Sequence, residues 1–158
     1  MTSPSQTLGT QLRHVIELLD GAVDRRYVAA GIADYRPRYT PVMRVLLERE
    51  KASIKEIAAT AALTHSAISQ TVAQMAAAGF VRTIPGDDAR EHLVLLTEKA
   101  RAAAPRLQRV WMAANAAAAE LDAELPYPLS RLLEETILAL ARRPHDSRLA
   151  DHDCHGEA

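Results

Sequence analysis

The chain has 158 residues, of which 48% are hydrophobic, 25% charged and 4% aromatic, and its formal net charge is −1. This balance excludes a disordered or fibrous protein, and the length suits one well-buried domain. The single cysteine excludes an internal disulfide framework. No apolar stretch reaches the ~18 residues of a membrane span and the N-terminus lacks a signal-peptide pattern, so we expect a cytoplasmic protein without a membrane partner.

Apolar residues that recur at spacings of three and four predict a long first helix over about residues 6–30. The segment Tyr35–Tyr39 contains a proline, and the residue before a proline avoids the α region, which predicts an extended connector. Thr40 followed by Pro41 is typical of a helix start, so we expect Thr40 to cap the second helix.

A pair of short helices follows. Ser53 and Glu56 have the spacing of a capping box, in which each side chain accepts a hydrogen bond from the other residue's backbone N–H. This predicts a short third helix and then a turn at Ala61–Leu63. Thr64 can cap a fourth helix, and Gly79 is suited to end it in a left-handed conformation.

The pattern then changes from helix to strand. Phe80–Ile84 and His92–Leu96 are short runs rich in apolar and β-branched residues, and the turn-forming segment Pro85–Arg90 lies between them. The sequence therefore predicts a β-hairpin with a polar tip.

The rest of the chain is predicted to be helical. A long fifth helix should begin after Thr97 and end near Asp122, with an interruption at Pro105. Two prolines open a last helix near Leu129. The polar tail over residues 144–158 is expected to be disordered. The fold class is thus mainly α with a small β-hairpin.

Two short helices joined by a tight turn are typical of a helix-turn-helix, whose second helix enters the major groove of DNA. The exposed positions of the fourth helix carry polar side chains that can donate or accept hydrogen bonds. The candidate base-reading residues are Thr64, His65, Ser66, Ser69, Gln70 and Gln74. A hairpin directly after such a helix makes a winged helix. Arg82 is placed to contact a phosphate and Arg90 to enter a minor groove, although Arg90 could instead pair with Asp87 or Asp88.

The segment Gly86–Lys99 resembles the wing signature of the MarR family of bacterial regulators. That signature has an acidic residue, an arginine two positions on, an alternating apolar strand and a Leu-Thr pair. The matching residues are Asp88, Arg90, Leu96 and Thr97. Residues 63–70 and 78–82 resemble the two ends of the family's recognition helix. Many relatives have basic residues in place of Gln70 and Ala89, and their absence here argues for modest non-specific affinity for DNA.

The resemblance implies one MarR-like domain over residues 1–143. The winged helix-turn-helix is expected at about 40–97, with dimerisation helices at about 6–30 and 98–143. It also implies a homodimer that binds a pseudo-palindromic operator in double-stranded DNA and regulates transcription. A small phenolic or lipophilic effector is a further expected partner. The candidate residues of its pocket are Tyr39, Met43 and Trp111.

Two alternatives stay open. The small net charge is compatible with a winged helix that serves as a protein-interaction module without DNA binding. The tail from His145 to His155 is dense in His, Asp and Cys side chains, which is compatible with a metal-responsive regulator, although the spacing matches no standard zinc site. Cys154 lies in this polar tail, which argues against a packed redox-sensing thiolate. No phosphate-binding loop, nucleophile elbow or metal-ligand helix occurs, so we expect neither an enzyme nor a cofactor.

Overall fold

The computed structural model describes residues 7–86 and 92–153. The helices are α1 (Leu8–Ala29), α2 (Thr40–Glu48), α3 (Ile54–Ala61), α4 (His65–Ala77), α5 (Glu98–Glu124), α6 (Leu129–Arg142) and α7 (His145–Asp153). The strands are β1 (Ala52–Ser53), β2 (Val81–Pro85) and β3 (His92–Leu96), and a 3₁₀ helix (Pro37–Tyr39) precedes α2. The strands form one antiparallel sheet in the order β1–β3–β2. The predicted fold class is confirmed. Strand β1 was not predicted, because two residues are too few to show an alternating pattern.

The helix-turn-helix forms as the sequence predicts. The Ser53 hydroxyl accepts a hydrogen bond from the Glu56 backbone N–H, and the Glu56 carboxylate accepts one from the Ser53 N–H at 2.7 Å. Helix α3 ends at Ala61 and is capped by Ala62, which adopts a left-handed conformation with φ +53°. The Thr64 hydroxyl then caps α4 by accepting from the Ala67 N–H at 3.2 Å. Each cap satisfies a donor that the first helical turn leaves unpaired.

The start of α2 differs from the prediction. Thr40 is the first residue of α2 and not its cap, and the preceding Tyr39 makes no side-chain capping bond. The expected extended connector contains the 3₁₀ helix over Pro37–Tyr39. The Thr40 hydroxyl lies 3.4 Å from the hydroxyl oxygens of both Tyr27 and Tyr35. A tertiary hydrogen bond therefore takes the place of the predicted local one.

Helix α5 is continuous from Glu98 to Glu124, which corrects the expected interruption at Pro105. Pro105 lacks a backbone N–H and so removes one helical hydrogen bond, but the helix continues on both sides of it. The predicted cap is confirmed, because the Thr97 hydroxyl accepts from the Ala100 N–H at 3.3 Å.

The tail expected to be disordered over residues 144–158 contains α7. An ion pair between Arg143 and Asp151 joins the end of α6 to α7, and the Arg148 guanidinium donates to the backbone carbonyl of Arg143. These interactions depend on side chains several residues apart, which explains why the composition of the tail did not reveal the helix. Residues 154–158 lie outside the described part of the chain.

The chain forms two compact units, Met1–Trp111 and Met112–Ala158. The first contains a hydrophobic core built from the end of α1, from α2 to α4, from the sheet and from the first part of α5. In the second, α6 has no buried residue. The predicted single domain over residues 1–143 stays a prediction. Within the described ranges, none of the helices is long and apolar enough to cross a membrane.

An aromatic cluster lies at the centre of the first unit. The ring of Tyr35, which is fully buried, makes edge-to-face contacts with Tyr27, Tyr39 and Phe80 at centroid distances of 4.8, 5.5 and 5.4 Å. The Trp111 indole N–H donates to the Tyr27 hydroxyl at 3.1 Å. Such ring pairs add about 0.5–1.5 kcal/mol each beyond the area they bury. The cluster joins α1, the connector after it and the residue before β2.

Burial raises the pKa of Tyr35 and that of Tyr27. Each raised pKa makes a contribution to the free energy of unfolding. Because the folded-state pKa lies above the unfolded value of about 10, that contribution is fully present below pH ~10 and is lost as the pH rises above it. We expect Tyr35 to contribute a loss approaching about 1.4 kcal/mol per pH unit. Tyrosinate absorbance and circular dichroism, followed together during an alkaline titration, should show Tyr35 ionising only as the fold is lost. A Tyr35→Phe variant should lose part of this pH dependence. Ionisation of all four tyrosines near pH 10 with the fold intact would contradict the expectation.

Candidate nucleic-acid interface

Helix α4 has two distinct faces. Ile68, Thr71, Val72 and Met75 are buried against the core. Most of the predicted base-reading residues lie on the other face. Thr64, His65, Ser66, Gln70 and Gln74 are exposed, and Ser69 is half-buried. Five of the six residues are therefore exposed at the start of α4 or along its outer face, and Ser69 lies at the edge of that face.

The polar groups of this face are largely unengaged by the protein itself. The Thr64 hydroxyl accepts the capping bond from Ala67 and keeps its O–H as a donor. Within residues 7–86 and 92–153, the other five candidate side chains make no hydrogen bond or ion pair. Hydroxyl, amide and imidazole groups presented in this way can donate to and accept from an external partner.

The base of the wing is part of the same unit. Val81 pairs with Leu96, and both side chains are buried. Arg82 pairs with Leu95, and its side chain is exposed beside that buried pair. The predicted minor-groove residue Arg90 lies outside the described residues, as do Asp87 and Asp88, so the role of Arg90 stays a prediction.

The end of α4 and the base of the wing are joined by hydrogen bonds from Thr97. Its hydroxyl donates to the Gly79 carbonyl at 2.6 Å and lies 3.2 Å from the Phe80 carbonyl, to which the Thr97 N–H also donates. Gly79 has φ +77°, a conformation that side chains disfavour. Phe80 is fully buried directly after it. These contacts make the direction of the wing depend on the end of α4.

Lys99 was not predicted from the sequence as a residue of this site. Its ammonium group donates to the Ala78 carbonyl at 2.7 Å, forms an ion pair with Asp34 and lies 4.5 Å from the ring centroid of Phe80. The hydrogen bond from Lys99 lowers the pKa of Asp34. Asp34 and Lys99 are 65 positions apart, so no local pattern could have connected them.

The three predicted pocket residues lie in the core of the first unit. Tyr39, Met43 and Trp111 are 6%, 0% and 8% exposed. The Arg44 guanidinium lies 5.2 Å from the ring centroid of Trp111. Asp24 Oδ1 is buried and has no hydrogen-bond partner in the described part of the chain. Burial raises the pKa of the neighbouring Tyr27 hydroxyl, and the charge of Asp24 adds to that effect. The pocket stays a prediction.

No cluster of three or more His, Cys, Asp or Glu side chains that could hold a metal ion occurs in the described ranges. Asp151 is engaged by Arg143. Cys154 and His155 lie outside those ranges, so the metal-responsive alternative stays a prediction.

Comparison with known proteins agrees with this geometry. Residues 33–91 match the model of the MarR family. The fold is similar to a Mycobacterium tuberculosis transcriptional regulator, MosR, solved in complex with DNA, with TM-score 0.64, 22% identity and coverage of 95% of this chain and 99% of that one. A MarR family regulator from Rhodococcus sp. RHA1 gives TM-score 0.57, 23% identity and coverage of 89% and 96%. CouR from Rhodococcus jostii RHA1, bound to p-coumaroyl-CoA, gives TM-score 0.57, 23% identity and coverage of 91% and 98%.

No curated protein sequence is significantly similar to the chain. The matched residues 33–91 include α2, α3, α4 and β2, the elements that present the polar face and begin the wing. The flanking helices belong to the same fold as the solved regulators. Residues 33–91 thus match the MarR family model, and the chain shares the fold of the solved MarR family regulators.

Proposed function

We propose that this protein is a transcriptional regulator that binds double-stranded DNA sequence-specifically as a homodimer. The exposed polar face of α4, followed directly by a wing, is the observation that carries the proposal. The match to the MarR family model covers this region, and the similar regulator MosR was solved in complex with DNA. No reaction is assigned to the protein.

In the proposed complex, α4 lies in the major groove. Gln70 and Gln74 are one helical turn apart, so their amides project from the same side of α4 and can pair bidentately with adenine. Arg82 contacts a phosphate beside the groove and Arg90 reaches the adjacent minor groove. Because the formal net charge is −1, attraction to DNA depends on these local cations. Affinity should therefore fall with salt in proportion to the number of these phosphate contacts.

The homodimer is supported by unpartnered apolar side chains on two helices. Large hydrophobic residues between 36% and 69% exposed line α1 and α6, among them Leu8, Leu12, Val15, Ile16, Leu19, Leu132, Leu133, Ile137 and Leu140. Exposed apolar patches of this extent mark interaction surfaces, because water disfavours them. A second copy supplies an identical surface, and two-fold symmetry then implies operator half-sites about one helical turn apart.

The DNA-binding proposal is tested with a duplex selected by the protein from a randomised library, using fluorescence anisotropy over a salt series. We expect Gln70→Ala to weaken binding by about 1–3 kcal/mol and to relax base preference at one position in each half-site. Arg82→Ala and Arg90→Ala should weaken binding to all duplexes and reduce the salt slope by about one unit per site.

Gln108→Ala serves as the matched control, because Gln108 is an exposed glutamine on α5 outside the proposed interface. It should bind as the wild type does. If the wild-type protein selects no sequence and binds duplex DNA weakly even at low salt, the proposal is wrong and a protein-interaction module is favoured.

The dimer is tested by light scattering coupled to size-exclusion chromatography. We expect Ile16→Glu on α1 and Ile137→Glu on α6 to yield monomers, since each places a charge among the exposed apolar side chains of its own helix, which the second copy is proposed to cover. Both side chains are more than half exposed in the single chain, so the fold of each unit should persist. His14→Glu places the same carboxylate on the opposite side of α1 and should leave the dimer intact. A monomeric wild-type protein at micromolar concentration would contradict the proposal.

We further propose that a small phenolic or lipophilic effector modulates DNA binding through the region of Tyr39, Met43 and Trp111. The solved structure of CouR with p-coumaroyl-CoA supports this for the shared fold. In this chain, the unpaired carboxylate oxygen of Asp24 could accept a hydrogen bond from such a ligand. Since the three candidate residues are buried, ligand entry requires a rearrangement, which links binding to a change of conformation.

A panel of phenolic acids that includes p-coumaric acid tests this part of the proposal. We expect at least one member to bind in calorimetry and to change DNA affinity by about fivefold or more. Trp111→Phe, which removes the donor to Tyr27, should weaken that binding. Tyr127→Phe alters an exposed tyrosine of the second unit and should not. Absence of heat across the panel, or ligand binding without any effect on DNA affinity, would count against the effector.

A further inference from the structure

The connector between α1 and α2 is held by two cationic side chains of α5. Arg106 donates to the carbonyl oxygens of Ala30 and Gly31, at 3.1 and 3.3 Å, where α1 ends. Lys99 forms an ion pair with Asp34 further along the connector. Only Lys99 of the two also contacts the end of α4 in the described structure. Of these two cations, Lys99 is therefore the one that links the connector to the end of α4.

The ammonium group of Lys99 can make its three contacts at the same time. An ammonium group has three donors and no acceptor, and here it meets a carboxylate, a backbone carbonyl and an aromatic face. The carbonyl is that of Ala78, one of the unpaired acceptors at the C-terminal end of α4, where a positive charge is favoured by the helix dipole. The aromatic face is that of Phe80, whose ring packs on Tyr35 in the connector.

We propose that Lys99, paired with Asp34, is a positioning residue that sets the orientation of α4 relative to the connector from α1. This inference rests on the proposed function, in which α1 belongs to the dimer surface and α4 reads DNA. In a dimer, the separation and tilt of the two recognition helices decide whether both enter the groove. If the interactions of Lys99 with Asp34 and Ala78 are lost, α4 can adopt orientations that fit the operator poorly, which reduces the fraction of binding-competent dimer.

The contribution of the Lys99–Asp34 ion pair to the free energy of unfolding should be small. The side chains of Lys99 and Asp34 are 47% and 51% exposed, and exposed ion pairs stabilise folded proteins little. The unit is held together by its buried core, which includes Phe80 but neither Lys99 nor Asp34. A change of Lys99 should therefore alter DNA affinity more than it alters the unfolding temperature.

Lys99 could instead contact a DNA phosphate directly, and the partner residue distinguishes the two roles. Asp34→Asn removes a negative charge from the protein surface, so simple electrostatics predicts stronger binding to DNA. The positioning role predicts weaker binding, because Asp34→Asn breaks the ion pair with Lys99. The two roles thus give opposite signs for one substitution.

The experiment compares Lys99→Met, Asp34→Asn and the double variant with the wild type on the selected operator. We expect each single variant to bind roughly five- to tenfold more weakly with an unchanged salt slope. The double variant should be no weaker than Lys99→Met, since both changes break one interaction. Lys99→Arg should restore part of the affinity. Glu48→Gln and Arg101→Met alter exposed side chains of the same charge types and serve as controls.

Amide hydrogen exchange gives a second readout that needs no DNA. In Lys99→Met and Asp34→Asn, the amides of Ala78, Gly79 and Phe80 should exchange faster, while those of α3 stay protected. If the wild type binds no operator, the proposed function fails. Hydrogen exchange alone then tests whether Lys99 and Asp34 hold the end of α4. The inference is overturned if exchange at these amides is unchanged. It is also overturned if Asp34→Asn strengthens binding while Lys99→Met lowers the salt slope.

Discussion

The edge-to-face packing of Tyr35 on Phe80 is the contact on which the first unit depends. It brings the connector after α1 against the residue that follows the end of α4 and precedes β2. Tyr27 and Tyr39 pack on the same ring, so α1 and the segment that leads into the helix-turn-helix share one buried centre. Because protein interiors are closely packed, a shift of the Tyr35 or the Phe80 ring would displace both the connector after α1 and the segment that follows α4.

The two faces of helix α4 differ in what they contact. Ile68, Val72 and Met75 supply the apolar surface that fastens α4 to the core. The opposite face is then free of any packing requirement and carries amides, hydroxyls and an imidazole. Lys99 donates to the Ala78 carbonyl at the C-terminal end of the helix, and Thr97 donates to the Gly79 carbonyl directly after it. Anchoring by one face and one end leaves the other face available for a partner.

The charge of the chain bears on how the proposed regulator finds DNA. A net charge of −1 gives no general attraction to a polyanion, so binding depends on a few cations and on hydrogen bonds to base edges. Such a balance favours discrimination between sequences over tight non-specific binding. In the proposed homodimer, two-fold symmetry would double the number of base contacts without a larger recognition surface on each chain.

By itself, the sequence determined the elements whose signals are local. The capping box of Ser53 and Glu56, the cap at Thr64 and the apolar spacing of α4 each involve residues within a few positions of one another, so the helix-turn-helix and its polar face could be predicted. Only the tertiary structure decided the pairing of β1 with β3, the hydrogen bonds of the Thr40 hydroxyl and the tie between Asp34 and Lys99. Those contacts join residues distant in sequence, and their partners are set by how the whole chain packs.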